Sequence, residues 1–319
     1  MPTTESFRIA VAQQTVGQDP SGPQIRRAGE RIRELMREAE RHGARMIQFA
    51  EGALSSYPDK RLMSSTADLG PADWSKADWP VLEEELSRTA ALAGHLRLWT
   101  VLGSVHRSTR LVRPDGERRP YNSLYVISDT GRLVHRYDKR LISHSELSYL
   151  YAPGIDPLVF EVDGWRFGTA LCIEINFAEV FAEYERLDVD CVLFSSFSED
   201  PMFGVLARGH AAANSNWMTF SVPAQCSAAV PSGVVGPDGR WIAQGPTDGT
   251  ESLVVVDLDP ADSEPIDIAV RHRRPWRRLV RQRLGIPHSE EPAVADTAGS
   301  DRPRTPARIA GTWCHDESG

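Results

Sequence analysis

The sequence predicts an α/β protein of mixed sheets with helices on their outer faces. Two observations carry that expectation. Helical and strand patterns alternate near both ends of the chain, whereas hairpin signals fill its middle. A purely parallel doubly wound sheet would keep alternating throughout. No linker-like stretch or internal repeat divides residues 5–260. One domain is therefore expected over about 1–260, followed by an Arg-rich segment and extension over 261–319.

Phe7–Gln13 (FRIAVAQ) is a short apolar run and reads as a buried strand. A helix follows from about Pro23 to His42, with Ile25, Ala28, Ile32, Leu35, Met36 and Ala39 at helical spacing. Gly43 is placed to close it in a left-handed cap. Strand Arg45–Ala50 ends on Glu51, and residues 53–78 are polar and broken by Pro and Gly. A helix over about Trp79–His95 and a strand over Leu98–His106 form the next pair. Hairpins then take over: Tyr121–Ile127 with Arg132–Arg136, and Leu158–Val162 with Trp165–Ile173 around Asp163-Gly164. Asn176 with Glu179 three residues on signals the start of a helix over about Phe177–Leu187. Strand Val189–Ser195, helix Phe203–Asn214 and strand Trp217–Val222 come next. A hairpin over Val234–Gly245 and a strand Leu253–Leu258 complete the pattern. From about residue 288 the chain is rich in Pro, Ala, Ser and charge, which predicts disorder or a segment draped over a neighbour.

Composition removes several classes of function. A net charge of -8 argues against a dedicated nucleic-acid binder, which needs positive surface to meet phosphates. No apolar run approaches the roughly 20 residues that span a bilayer, and the N-terminal stretch does not read as a secretion signal. Four cysteines (Cys172, Cys191, Cys226, Cys314) without a CxxC pair suit neither a disulfide framework nor structural zinc, and a reducing cytoplasm is the expected setting. The nine histidines form no HxH or HExxH arrangement, and there is no GxGxxG or GxxxxGK[ST]. RHRRPWRRLVRQR (271–283) holds seven arginines and reads as a solvated face or a subunit contact.

Four residues invite a chemical reading, each with a plain structural alternative. Cys172 ends an apolar strand just before a helix start, where exposed amides and the positive helix end favour a thiolate. Equally, a free cysteine is often a small core residue, as Cys191 and Cys226 are expected to be. Glu51 ends the strand MIQFAEG; a carboxylate in a cleft there would gain the raised pKa of a general base, but a solvated strand end is the simple alternative. Lys139 in RYDKRL could hold an oxyanion or lie on the surface, and Glu146 is unremarkable alone.

Their order changes the balance. FAEGALSSYP, YDKRLISHSELSYLYAPG and FGTALCIEINFAE occur in sequence, each at a strand end. Together they resemble the Glu, Lys and Cys motifs of the nitrilase superfamily, the carbon–nitrogen hydrolases. RIAVAQ, ARGHAAANSNW, PSGVVGPDGRWIAQ and VVVDLD are similar to further family segments, so the resemblance covers about residues 7–260.

The resemblance implies an α-β-β-α sandwich that hydrolyses a non-peptide carbon–nitrogen bond, with neither metal nor organic cofactor. Cys172 would be the nucleophile, Glu51 the general base, Lys139 the oxyanion stabiliser with the Ile173 amide, and Glu146 a positioning carboxylate. Asn214 and Trp217 fall where relatives line the pocket. An amidase acting on a linear amide is expected; a nitrile hydrolase, an acyl transferase and a non-catalytic binding partner are the alternatives. Relatives often carry Cys-x-Asp-x-Arg, whereas this chain has Cys172-Ile173-Glu174-Ile175-Asn176. Asn176 in place of Arg implies a small-molecule substrate lacking a carboxylate beside the scissile bond. The resemblance also implies a homodimer or higher even homo-oligomer, with the helix at 177–187 and the residues after 258 in the contact.

Overall fold

Alternating side-chain direction sorts the strands into layers. In β1 (Phe7–Gln13), Ile9 and Val11 point one way and Ala10 and Ala12 the other, as period-two geometry requires. The computed structural model describes residues 5–57, 72–107 and 119–284. One sheet contains β1, β2 (Met46–Gln48), β3 (Trp99–His106), β4 (Tyr121–Ile127), β5 (Leu133–Asp138) and β12 (Ser252–Leu258), in the order β12-β1-β2-β3-β4-β5. The other contains β6 (Val159–Val162), β7 (Trp165–Leu171), β8 (Cys191–Ser195), β9 (Trp217–Ser221), β10 (Gly233–Val235) and β11 (Trp241–Gln244), in the order β11-β10-β9-β8-β7-β6. Each sheet has two parallel pairings at its centre and antiparallel pairings outside them.

Three apolar layers hold these sheets. Ile9, Val11, Met46 and Val101 meet Phe167, Leu193 and Trp217 between the sheets. Outside the first sheet, Ala10, Ile47 and Leu102 pack under α1 (Gly22–Arg41) and α2 (Trp79–Leu96). Outside the second, Val192, Phe194 and Phe220 pack under α3 (Ala178–Arg186) and α4 (Met202–Asn214). The architecture is thus an α-β-β-α sandwich. The six α1 residues read as its apolar face are all buried, and Gly43 takes a φ of 71° just beyond the helix, where a left-handed residue ends the chain of carbonyls.

Several boundaries differ from the sequence reading. The second strand narrows to Met46–Gln48, and β7 stops at Leu171. Asn176 does not cap α3: Phe177 occupies that position, and the Asn176 Nδ2 donates back to the Ile173 carbonyl at 3.3 Å. A single wide helical turn, Glu146–Leu150, closed by the Tyr151 amide on the Glu146 carbonyl, had no sequence signature.

The Arg-rich stretch is neither simply solvated nor without a partner in its own chain. α5 (Glu264–Asp267) precedes it; the stretch begins in a wide helical turn (Ile268–Arg273) and continues as α6 (Arg274–Arg283), which lies against the end of α3 and the turn to β8. Arg274 bonds Asp190 at 2.5 Å and the Asp188 carbonyl at 2.7 Å, Arg277 bonds Glu185, and Arg278 and Arg281 pair with Asp188 and Glu185. Among the described residues, no helix is long and apolar enough to cross a membrane. The tail from 288 and Cys314 lie outside the described residues.

Candidate active site

Both sheets deliver residues to one edge of the sandwich. Glu51 sits in the tight turn after β2, which folds across β3: the Leu54 amide donates to the Gly103 carbonyl at 3.0 Å. A Cβ on Gly103 would stand 2.1 Å from the Ala50 carbonyl oxygen, so only glycine lets this turn close. Lys139 follows β5, and its amide donates to Asn122 of β4 at 2.9 Å. Glu146 opens the wide turn, fixed by the Ser143 amide at 2.8 Å. From the other sheet, Cys172 follows β7 with a φ of 49°, and Phe197 follows β8. A non-glycine residue at positive φ makes a sharp elbow between strand and helical turn, which projects its side chain off the sheet.

The side chains then interlock. Lys139 Nζ donates to Glu51 Oε1 at 3.0 Å and to Glu146 Oε1 at 2.7 Å, and all three residues are essentially without solvent contact. Asn122 Nδ2 donates to Glu51 Oε1 at 2.7 Å and reaches Glu146 Oε1 at 3.3 Å. The other Glu51 oxygen accepts the Phe197 amide at 2.8 Å, and the Phe197 carbonyl faces the half-buried Cys172 Sγ at 3.9 Å. Tyr57 donates to Glu146 at 3.2 Å and stacks on the Phe197 ring, with centroids 5.0 Å apart.

Burial sets the protonation of this cluster. It raises Glu51 above the ordinary carboxylate range, with the Lys139 ammonium opposing it. Burial also works against a charged Lys139, but Glu51, Cys172 and Glu146 outweigh it and hold the ammonium well above its usual value. Glu146 goes the other way: despite burial, Lys139 and the Ser143 amide hold it below the usual range. Burial and the Glu51 charge push the Cys172 thiol up to about 12. The thiol therefore rests protonated beside a carboxylate able to take its proton and a fixed cation.

A sequence profile of carbon–nitrogen hydrolases matches residues 8–267. The chain belongs to the carbon–nitrogen hydrolase family. A glutamine-dependent NAD(+) synthetase of Acinetobacter baylyi is 27% identical over 194 residues, covering 59% of this chain and 31% of that protein, so this hydrolase-family chain spans less than a third of that relative. Among solved structures of the nitrilase superfamily, the Nesterenkonia AN1 amidase in a Cys-to-Ala form superposes with a TM-score of 0.63 at 19% identity, covering 86% of this chain and 98% of that one. A Glu-to-Gln form of the amidase, carrying an acetamide moiety covalently on its active-site cysteine, gives 0.64 at 18% identity, covering 88% and 98%. The glutamine-dependent NAD+ synthetase of Acinetobacter baumannii gives 0.61 at 22% identity, covering 80% of this chain and 46% of that one. At these identities the structural likeness establishes the fold alone.

Within this hydrolase fold the expected residues divide into two groups. Cys172, Glu51, Lys139 and Glu146 converge, and the half-buried Ile173 lies in the same elbow. Trp217 does not join them. It begins β9, paired with Cys191, while the site edge is marked by Leu171, Ser195 and Ser221. Four residue steps separate the two ends, roughly 13 Å, and the indole packs on Trp165 between the sheets. Asn214 ends α4, its Nδ2 bonded to the His210 carbonyl at 3.0 Å. Asn176 is exposed and engaged with Ile173. Four residues escaped the sequence reading: Asn122, whose only mark was an amide within an apolar strand, Glu174, two residues past the cysteine, and Tyr57 and Phe197, which contact Glu146 and Glu51. Cys191 and Cys226 are buried as expected. Among the described residues, no group of three His, Cys, Asp or Glu side chains is placed to hold a metal ion.

Proposed function

We propose that the chain is an amidase-type hydrolase that cleaves a small, non-peptide amide through a thioester on Cys172. The observation that carries this reading is the buried Glu51–Lys139–Glu146 cluster set against a thiol on a positive-φ elbow. Glu51 takes the thiol proton as the sulfur attacks the carbonyl carbon. Because the thiol rests near 12, its proton leaves at the moment of attack rather than beforehand. The ammonium has three N–H donors. Glu51 and Glu146 engage two, and the third, with the Ile173 amide, meets the oxygen as it becomes negative. The intermediate collapses, the amine leaves with the Glu51 proton, and water deprotonated by Glu51 hydrolyses the thioester. Glu146, kept ionised by Lys139, anchors the ammonium and takes no proton.

The decisive experiment is mass spectrometry of the protein quenched during turnover of a small amide. An acyl adduct on Cys172 and its absence from Cys172→Ala are expected; turnover by Cys172→Ala would refute the nucleophile. A paired panel of an amide, the matching nitrile and glutamine, read by ammonia release, separates the amidase reading from a nitrile hydrolase. The substrate is expected to lack a carboxylate next to the scissile bond. Asn176 offers no guanidinium, Arg208 bonds the Gly239 carbonyl and Arg140 pairs with Glu183. An unmatched charge costs about 1.5–3 kcal/mol of binding. A higher kcat/KM for an acid than for its methyl ester would sink that expectation.

A further inference from the structure

Glu174 is wholly buried and takes no part in the chemistry just described. Its two oxygens are nonetheless fully engaged. Oε2 accepts the Leu171 amide at 2.7 Å, on the strand side of the Cys172 elbow. Oε1 accepts the amides of Arg140 at 2.8 Å and Leu141 at 3.1 Å, the two residues that follow Lys139. The buried Tyr137 hydroxyl stands 2.8 Å from each oxygen and donates to one at a time.

These contacts join two turns that belong to different sheets, so no strand ladder ties them together. Every partner is a donor, and an ionised carboxylate offers lone pairs to all of them; these hydrogen bonds oppose burial, which raises Glu174 above the usual carboxylate range. A glutamine would turn an N–H toward a backbone N–H. An aspartate keeps the acceptors but, one methylene shorter, would hold the two turns less closely. Lys139 carries its charge on a flexible four-carbon stem, so where its nitrogen stands relative to the sulfur depends on how the two turns are held.

We propose that Glu174 is a positioning residue: its carboxylate ties the turn after β5 to the elbow after β7 and so holds the Lys139 ammonium in register with the Cys172 thiol. This rests on Cys172 and Lys139 being the working groups proposed above. Displacing a reacting group by about 1 Å costs roughly 10²-fold in rate, which sets the scale of the effect.

The test compares the wild type, Glu174→Gln and Glu174→Asp for amide turnover and for the rate of Cys172 alkylation by iodoacetamide across pH. Glu174→Gln should lose about 10²-fold in kcat, with KM changed much less. Its alkylation profile should move to higher pH, slowing the reaction near neutrality about tenfold, as one pKa unit gives, because the cation no longer stands by the sulfur. Glu174→Asp should recover part of both. If the folded Glu174→Gln protein alkylates and turns over like wild type, even with a lowered Tm, Glu174 is only a brace and the proposal fails. Should Glu174→Gln not fold, Tyr137→Phe removes one donor from the same carboxylate. A smaller displacement of the profile in the same direction supports the clamp, and an unchanged profile overturns it. If the wild-type thiol takes no adduct, the nucleophile assignment fails and the clamp with it; equal alkylation of wild type and variant overturns the clamp alone.

Discussion

At the scale of single residues, Cys172 carries a backbone cost for its placement. A left-handed φ on a residue with a Cβ costs about 1–2 kcal/mol, yet the elbow needs it to project the sulfur. Cys172→Gly and Cys172→Ala should both be inactive, with the glycine variant the more stable by ~1 kcal/mol once the greater freedom of unfolded glycine is subtracted. Denaturant unfolding of the pair checks this, and an alanine variant equally stable would mean the turn is unstrained. Glu51 should govern the acid side of the pH profile. Its pKa is raised by burial, and the base works only when ionised. Activity is then present above that raised value and lost as pH falls through it, at a pH above the ordinary 4.5. A kcat/KM profile flat down to pH 4 would remove Glu51 as the base. Lys139→Ala should cost about 10²–10³-fold, as loss of one oxyanion donor does.

Elements show why some of this was legible and some was not. The motif residues could be read because an ionisable side chain at the end of an apolar run is conspicuous, and three such runs in order are more so. Asn122 and Glu174 could not, since their partners lie 71 and 34 residues away across a fold that local pattern does not describe. Trp217 misled because a tryptophan beside a helix end looks the same whether the strand begins or finishes at the pocket; only the parallel register of β7, β8 and β9 decides it. The partners of the Arg-rich helix within its own chain were illegible for a related reason. Glu185, Asp188 and Asp190 are far upstream, and nothing local pairs them with α6. Arg274 is the clearest of these contacts, with its side chain 7% exposed and that of Asp190 11%. Removing one partner of a buried pair leaves the other charge without its counter-ion, so Arg274→Met should lose about 3 kcal/mol. Chemical denaturation measures it, and a loss under 1 kcal/mol would mean that α6 is only loosely attached.

Across the whole molecule, the two sheets are joined differently along their length. Most of their contact is apolar, but near the active edge it is polar: Gln48 donates to the Phe194 carbonyl and the Ser195 hydroxyl, each at 2.9 Å, and Ser221 donates to the Ala12 carbonyl at 2.8 Å. Directional bonds there fix the spacing across which Glu51 reaches the Phe197 amide. We propose that the protein forms an even-numbered homo-oligomer, since Phe177, Met202 and Val205 remain 40%, 53% and 58% exposed on one chain, near the starts of α3 and α4. Light scattering that finds a monomer at micromolar concentration would refute it.

Because the Lys139–Glu51 bond spans 88 residues and the Phe197–Glu51 bond 146, the site cannot exist before the two halves of the chain have met. Contacts of such long range close late in folding, after local helices and hairpins have formed. In a refolding experiment, helical circular dichroism should therefore return ahead of amide turnover. Turnover should appear only with the slowest phase, as the two sheets dock. The distance between Glu51 and Phe197 along the chain makes activity a clock for the last event in folding.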